Sequence, residues 1–230
     1  MRAMTRLRRT AVLAALLAGV LVGGLATPAH ASSYAGNGSL VVLRMTAAIN
    51  ALRVAAETPS GYDRDLFPTW TDQDHDGCDT RAEVLIRTST VPATTNQYCT
   101  VQTGRWYDWY DDTTYRSASQ LDIDHLVPLA EVWASGGRRW NAARREAYAN
   151  DLADPRTLVP VSLHANRSKG DQEPDEWMPI DHPCRYVRSW VVVKTRWSLA
   201  IDRAEKADLL RMATYCGNPT LRTHVATVTP

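Results

Sequence analysis

The stretch from Leu121 to Asp171 constrains this chain more than any other. Leu121, Ile123 and Leu126 form a short apolar run that Pro128 ends, a pattern that predicts a strand followed by a helix over residues 129–133. A second helix is expected at about residues 141–152, and residues 157–161 form another apolar strand. Leu163 then leads into Asn166-Arg167-Ser168-Lys169-Gly170-Asp171. Short strands together with helices predict a domain of mixed α and β (α+β) structure.

Before this domain, Arg2, Arg6, Arg8 and Arg9 precede an apolar run over residues 11–26, and Ala29-His30-Ala31 supplies a small-residue cleavage site. Residues 1–31 are therefore expected to be a secretory signal peptide, leaving a secreted, extracellular chain with no membrane anchor. The cysteine count agrees. Cys78, Cys99, Cys184 and Cys216 are an even set suited to an oxidising compartment, and their order along the chain favours pairing the first two and the last two. Each bridge would add about 3 kcal/mol in the chain-entropy model. No C-x-x-C pair occurs, which argues against a zinc ribbon.

Losing the signal also changes the charge: removing four arginines from 26 basic residues leaves 22 against 25 acidic ones, about −3. Global charge thus does not announce a nucleic-acid binder, and attraction for phosphate must come from a local patch. The candidates near the motif are Arg138, Arg139, Arg144, Arg145, Arg167 and Lys169.

Outside the motif, residues 32–60 are expected to begin as a loose arm around Gly36-Asn37-Gly38, before residues 40–55 pack as a helix or a helix plus strand. Residues 61–79 read as loop, and residues 83–87 as a short apolar element. Residues 104–115 alternate aromatic and polar side chains around Asp111 and Asp112, which predicts a β-hairpin with Trp106, Trp109 and Tyr110 in the core. Residues 186–197 and 204–215 read as helices. Asp202 and Glu205 form a capping-box pattern, and Trp190 and Trp197 share a helix face.

The chemistry of the motif begins with Asp124 beside His125, an oxygen ligand next to a base that is neutral at physiological pH. Asn166 adds a second oxygen ligand and Lys169 a cation able to hold a phosphate or to pair with an acid such as Asp171. Asp124-His125-x-x-Pro128 and Asn166-x-x-Lys169 resemble the two ends of the HNH, or ββα-metal, nuclease motif. With "GYDRDLF" and "GCDTRAEVL" upstream, the chain resembles the secreted bacterial branch of that family over roughly residues 61–216. The resemblance implies a ββα-metal core with additional helices and a hairpin, in a domain spanning 61–230 with its motif core at 121–171. It implies metal-dependent hydrolysis of DNA, or of RNA, leaving a 5′-phosphate. Asp124 and Asn166 would hold Mg²⁺ or Mn²⁺, His125 would take the proton from water, and Lys169 and Arg81 would contact phosphate. The central Asn of the motif is missing, since nine residues before Asn166 stands Thr157, with Asn150 and Asp154 as nearby substitutes.

A second pattern is Asp72-x-Asp74-x-Asp76-Gly77 with Glu83 at position twelve, the spacing of an EF-hand calcium loop, although Pro68 stands where an entering helix belongs. Structural Ca²⁺ is one reading and an acidic turn the other. His164 lies near Asn166 as a third ligand or substrate contact, while His75, His182 and His224 have no assigned task. No G-x-S-x-G occurs. The expectation is a monomeric, secreted endonuclease of low sequence specificity. A non-enzymatic, calcium-stabilised extracellular binding protein is the alternative.

Overall fold

The two chain ends of the folded part are joined into one ribbon. The structure, a computed structural model, describes residues 33–229; the expected signal peptide lies outside them. Strand β1 (Tyr34–Arg44) runs antiparallel to the last strand, β7 (Thr220–Thr229), with an irregularity between Asn37 and Leu40. The Gly-Asn-Gly segment expected to be a loose arm is thus inside a strand. Its glycines belong there because the strands are in close contact: a Cβ on Gly36 would lie 2.7 Å from Thr227 Oγ1. Low intrinsic strand propensity is overridden by pairing with a segment nearly two hundred residues away. The helical part of residues 40–55 is only α1 (Met45–Ala51), whose Met45, Ala48 and Ile49 face the core.

A single 3₁₀ turn, Arg64–Leu66, interrupts the loop that follows, and α2 (Thr80–Thr88) then starts at Asp79, whose carboxylate accepts from Ala82 N at 2.7 Å. The expected hairpin is present. After β2 (Thr94–Thr95), strands β3 (Val101–Asp108) and β4 (Thr113–Ser117) pair antiparallel, and Trp106, Trp109 and Tyr110 are buried. Trp106 satisfies its indole N–H on Leu85 O at 2.8 Å, which fixes α2 against β3.

Strand β5 (Leu121–His125) leads through α3 (Leu129–Ala134) and α4 (Ala142–Ala149) to β6 (Leu158–Ser162), and β6 runs into α5 (Leu163–Lys169). Strands β5 and β6 pair antiparallel, His125 opposite Leu158 and Leu121 opposite Ser162. The period-two alternation of β5 sends Leu121 and Ile123 into a small core with Val84, Leu85 and Trp106, and Asp122 and Asp124 to the other side.

The larger core surrounds α6 (Pro183–Trp197), which packs against α1, α7 (Arg203–Tyr215) and β7. Tyr186, Trp190 and Trp197 are fully buried, as their spacing implies. Disulfides join Cys78 to Cys99 and Cys184 to Cys216, in the order expected, so that α2 is tied to the start of the hairpin and α6 to the end of α7. Among the described residues no helix is long and apolar enough to cross a membrane.

Helix α6 also buries two cations, each within a polar network. Arg196 makes a two-pronged contact with Asp151, Nε to Oδ2 at 2.7 Å and Nη2 to Oδ1 at 2.9 Å. Its remaining donors reach Asn37 Oδ1, Gly36 O and His224 O in the terminal ribbon. Asp151 Oδ2 also accepts from Trp197 Nε1 and Thr157 Oγ1. Lys194 donates to Glu131, to Glu205 at 3.0 Å and to Ala200 O. Asp202 caps α7 through Glu205 N as expected, but the Glu205 side chain turns inward to Lys194 and Trp190 instead of closing a capping box.

Four carboxylates, Glu57, Glu131, Glu173 and Glu205, lie within 4.8 Å of one another, and all but Glu57 pair with that single lysine. Glu173 Oε1 is sealed from solvent with no hydrogen-bond partner, 3.9 Å from the ammonium. Burial, followed by the fields of Glu205 and Glu131, pushes the Glu173 carboxyl from 4.5 up to about 10. The folded value lies above the unfolded one, so its contribution to stability is intact below about pH 4.5 and is lost as pH rises toward the folded value. Glu173→Gln is therefore expected to raise the melting temperature over wild type, by a margin that grows between pH 5 and pH 8; a flat or reversed margin would contradict this. Arg196→Met leaves Asp151 buried and unpaired and is expected to cost about 3–5 kcal/mol in urea unfolding. A loss below 1 kcal/mol would show the pair to be dispensable.

Candidate active site

At the carboxyl end of β5 a cleft of about 180 Å³ is lined by Arg64, Asp124, His125, Asn166 and Asp171. Strand β5 supplies the Asp-His pair, α5 supplies Asn166, and the 3₁₀ turn supplies Arg64. Three residues from distant parts of the chain thus join Asp124 and His125, and the β5–β6 pairing is what brings α5 alongside β5.

Asp124 is buried, and both its oxygens have protein donors. Lys169 Nζ meets Oδ1 at 2.9 Å and the Tyr110 hydroxyl meets Oδ2 at 2.7 Å. Burial pushes the carboxyl up, and Lys169 and Tyr110 pull it back toward ionisation. Each carboxylate oxygen keeps a second lone pair, so these contacts do not exhaust its acceptor capacity. The Lys169 ammonium is fully buried and also donates to His125 O at 3.1 Å. The acid it pairs with is Asp124, not Asp171. In this position it neutralises and orients the carboxylate from within the protein and does not face a phosphate in the cleft.

His125 is held between two aromatic rings, Trp70 and Tyr148, whose centroids lie 5.8 and 6.1 Å away in stacked arrangements. Its Nε2 lies 2.9 Å from Ala149 O. A carbonyl can only accept, so Nε2 carries the proton and Nδ1 keeps its lone pair. Burial lowers the imidazole from 6.5 to about 4, the Ala149 carbonyl opposing this and the charges of Arg64 and Lys169 adding to it. The ring is therefore neutral at physiological pH.

The Ala149 carbonyl takes the place of a side-chain brace behind the histidine. Neither Thr157, which stands at the Asn position, nor the two substitutes bonds the ring. Thr157 Oγ1 donates to Asp151, and Asp154 binds Arg156 and Thr223. Asn150 acts one step removed: its Oδ1 accepts from Thr71 N at 3.1 Å and its Nδ2 donates to Pro68 O and Glu146 O. That fastens the loop carrying Trp70 to the end of α4, whose Ala149 carbonyl holds His125.

Asn166 donates its Nδ2 to Asp122 Oδ2 at 3.0 Å, which leaves Oδ1 as the free acceptor of the amide. A carboxylate and an amide oxygen bordering one polar cleft are a hard donor set of the kind that suits Mg²⁺ or Mn²⁺.

The other expected contacts lie elsewhere. Arg81 donates to Ala118 O and Leu121 O and borders a separate pocket with Trp70 and Asp72. His164 is exposed and outside the cleft lining. His182 has a partner that its sequence position did not suggest, the Tyr107 hydroxyl at 2.9 Å. Arg144 lies over the rings of Trp140 and Trp197, and Arg145 donates to Leu66 O, so neither is a free phosphate contact. In the acidic loop, oxygens of Asp72, Asp74 and Asp76 come within 4.8 Å of one another, while Glu83, on α2, stands outside that group. Burial, with Asp74 and Asp76 adding to it, pushes Glu83 up to about 7. Arg64, Trp70 and Tyr148 are site residues that the motif spacing does not point to, and Tyr110, expected only as core, also reaches Asp124. Arg64 belongs to the family-like "GYDRDLF", which was the available signal.

A family model described as "GmrSD restriction endonucleases, C-terminal domain" matches residues 80–212, more than half of the chain. A protein of Arthroderma benhamiae described as an uncharacterized secreted protein is 38% identical over 171 residues, which cover 73% of this chain and 82% of that protein. No solved structure matches the chain.

Proposed function

Since the chain belongs to the family of the GmrSD restriction endonuclease C-terminal domain, we propose that it is a secreted, metal-dependent endonuclease of the HNH type, acting on DNA or RNA with low sequence specificity. The observation that carries this reading is the convergence of Asp124, His125, Asn166 and Arg64 on one cleft. The antiparallel β5–β6 pair followed by α5 supports a ββα-metal core. Export is supported by the two disulfides, by the secreted relative and by the N-terminal sequence.

In this mechanism Asp124 and Asn166 Oδ1 hold a hard divalent cation, Mg²⁺ or Mn²⁺. Its chemistry, when bound, is stabilisation of the negative charge on the departing oxygen. His125 takes the proton from a water at Nδ1, while Nε2–H stays on the Ala149 carbonyl and keeps the ring aimed. The water oxygen forms the new bond to phosphorus, the opposite phosphorus–oxygen bond breaks, and the product keeps a 5′-phosphate. Of the side chains lining the cleft, Arg64 is the basic one besides His125, and it holds the phosphodiester anion. Contacts of this kind read the backbone and carry no base information, which is the basis for low specificity.

The test is plasmid cleavage by folded mature protein with Mg²⁺, Mn²⁺ or EDTA, beside His125→Ala and Arg64→Ala. Wild type should cut at many sites, EDTA should abolish cutting, and His125→Ala should lose about 10²–10⁴ in turnover. Arg64→Ala should weaken substrate use while leaving the fold intact. Folded wild type that cuts no polynucleotide with any metal would instead support a non-enzymatic extracellular binding protein.

The acidic loop carries a second part of the reading, structural calcium. Asp72 Oδ1 is sealed from solvent with no donor, beside Asp74 and Asp76. Adding Ca²⁺ to chelated protein should raise its melting temperature, and an unchanged melting temperature would reduce the loop to an acidic turn.

A further inference from the structure

Away from the cleft, a pocket of about 430 Å³ between α6 and β7 is lined by Arg156, Arg185, Arg188 and Arg222, with no acidic side chain in its lining. Only Arg156 is neutralised: its guanidinium binds Asp154 through two parallel contacts at 2.7 and 2.6 Å and also donates to Arg222 O at 2.9 Å. That pins β7 beside the pocket. Arg185 lies over the Trp109 ring, 4.5 Å from its centroid, and among the described residues its side chain has no hydrogen bond or ion pair. Arg188, one helical turn further along α6, and Arg222 are exposed, and among the described residues their side chains have no hydrogen bond or ion pair. Three uncompensated guanidinium groups around one concavity repel one another, in a chain whose mature charge is about −3. A tetrahedral oxyanion relieves that repulsion and matches the planar, multi-donor geometry of arginine.

We propose that this pocket binds phosphate, and that its ligand is a backbone phosphate of the polynucleotide at a distance from the bond being cut. The site is separate from the cleavage cleft. The polynucleotide as its ligand rests on the nuclease reading, while the phosphate chemistry rests on the arginines alone. Of the basic residues flanking the motif, Lys169, Arg144 and Arg145 are engaged within the protein while Arg138, Arg139 and Arg167 are exposed, so the pocket adds a further cluster of cations to those near the cleft.

The test compares wild type with the double variant Arg188→Gln/Arg222→Gln, both exposed positions, with Arg156 left intact because it holds Asp154 and β7. Binding of a fluorescent DNA duplex is followed by anisotropy against salt concentration with no divalent metal, so that no cleavage occurs. Inorganic phosphate binding is measured separately by calorimetry. On the proposal, the variant loses roughly ten- to thirtyfold in duplex affinity near 0.15 M salt, and its salt slope falls by about 1.8, the counterion-release value for two lost contacts. Loss of inorganic phosphate binding with duplex affinity and slope unchanged would reassign the pocket to a free phosphate ligand and overturn the backbone assignment. No change in either measurement would overturn the site altogether. If wild type fails to cut plasmid yet the variant still loses duplex affinity, the pocket stands and the nuclease reading falls; cutting with affinity, slope and phosphate binding all unchanged gives the reverse.

Discussion

The contact between Arg196 and Asp151 ties the central helix, the terminal ribbon and the segment behind His125 into one polar network. Both side chains are fully buried, so the pair is sustained only because every remaining donor and acceptor is used. From Arg196 the network reaches the terminal ribbon through Asn37, Gly36 and His224. From Asp151 it reaches Thr157, just before β6, and Trp197 at the end of α6. Asp151 also follows directly on Ala149 and Asn150, the residues that hold His125 and the Trp70 loop. One ion pair thus connects the central helix, the chain ends and the back wall of the cleft.

The charges of the molecule divide by location. Lys169, Lys194 and Arg196 are buried and pair with Asp124, Glu131 with Glu205, and Asp151. They set the positions of backbone and of the Asp124 carboxylate and face no solvent. Arg64, Arg188 and Arg222 are exposed and line concavities. A basic residue in the interior replaces lost hydration with fixed partners, whereas one at the surface keeps its donors for an anion. Four of the acidic side chains cluster beside Lys194, where Glu173 Oε1 is buried without a hydrogen-bond partner. That is where local stability is given up.

Much of the fold was legible because its signals are local. The hairpin around Asp111 and Asp112, the strand ended by Pro128, the helices of the C-terminal third and the order of the disulfides all follow from alternation, caps or spacing. The ribbon was not legible. Gly36-Asn37-Gly38 disfavours a strand by itself, and the partner strand lies at the opposite end of the chain. Glu205 shows the same limit at one residue, since its spacing from Asp202 fits a capping box but a buried lysine lies within reach on another helix.

By itself the sequence determined which chemical groups this protein has at the end of β5 and along α5: an acid, a base, an amide and an ammonium at fixed spacing. It also determined that the chain would carry an even set of cysteines and a mixed α and β order. The tertiary structure alone decided what each group faces. It turned Lys169 inward onto Asp124, put a backbone carbonyl where a side-chain brace was expected, brought Arg64 to the cleft and gathered four arginines into a pocket of their own. The physical reason is that spacing along a chain governs local geometry, whereas the free energy of a charge depends on burial and on partners from distant segments, which no local pattern encodes.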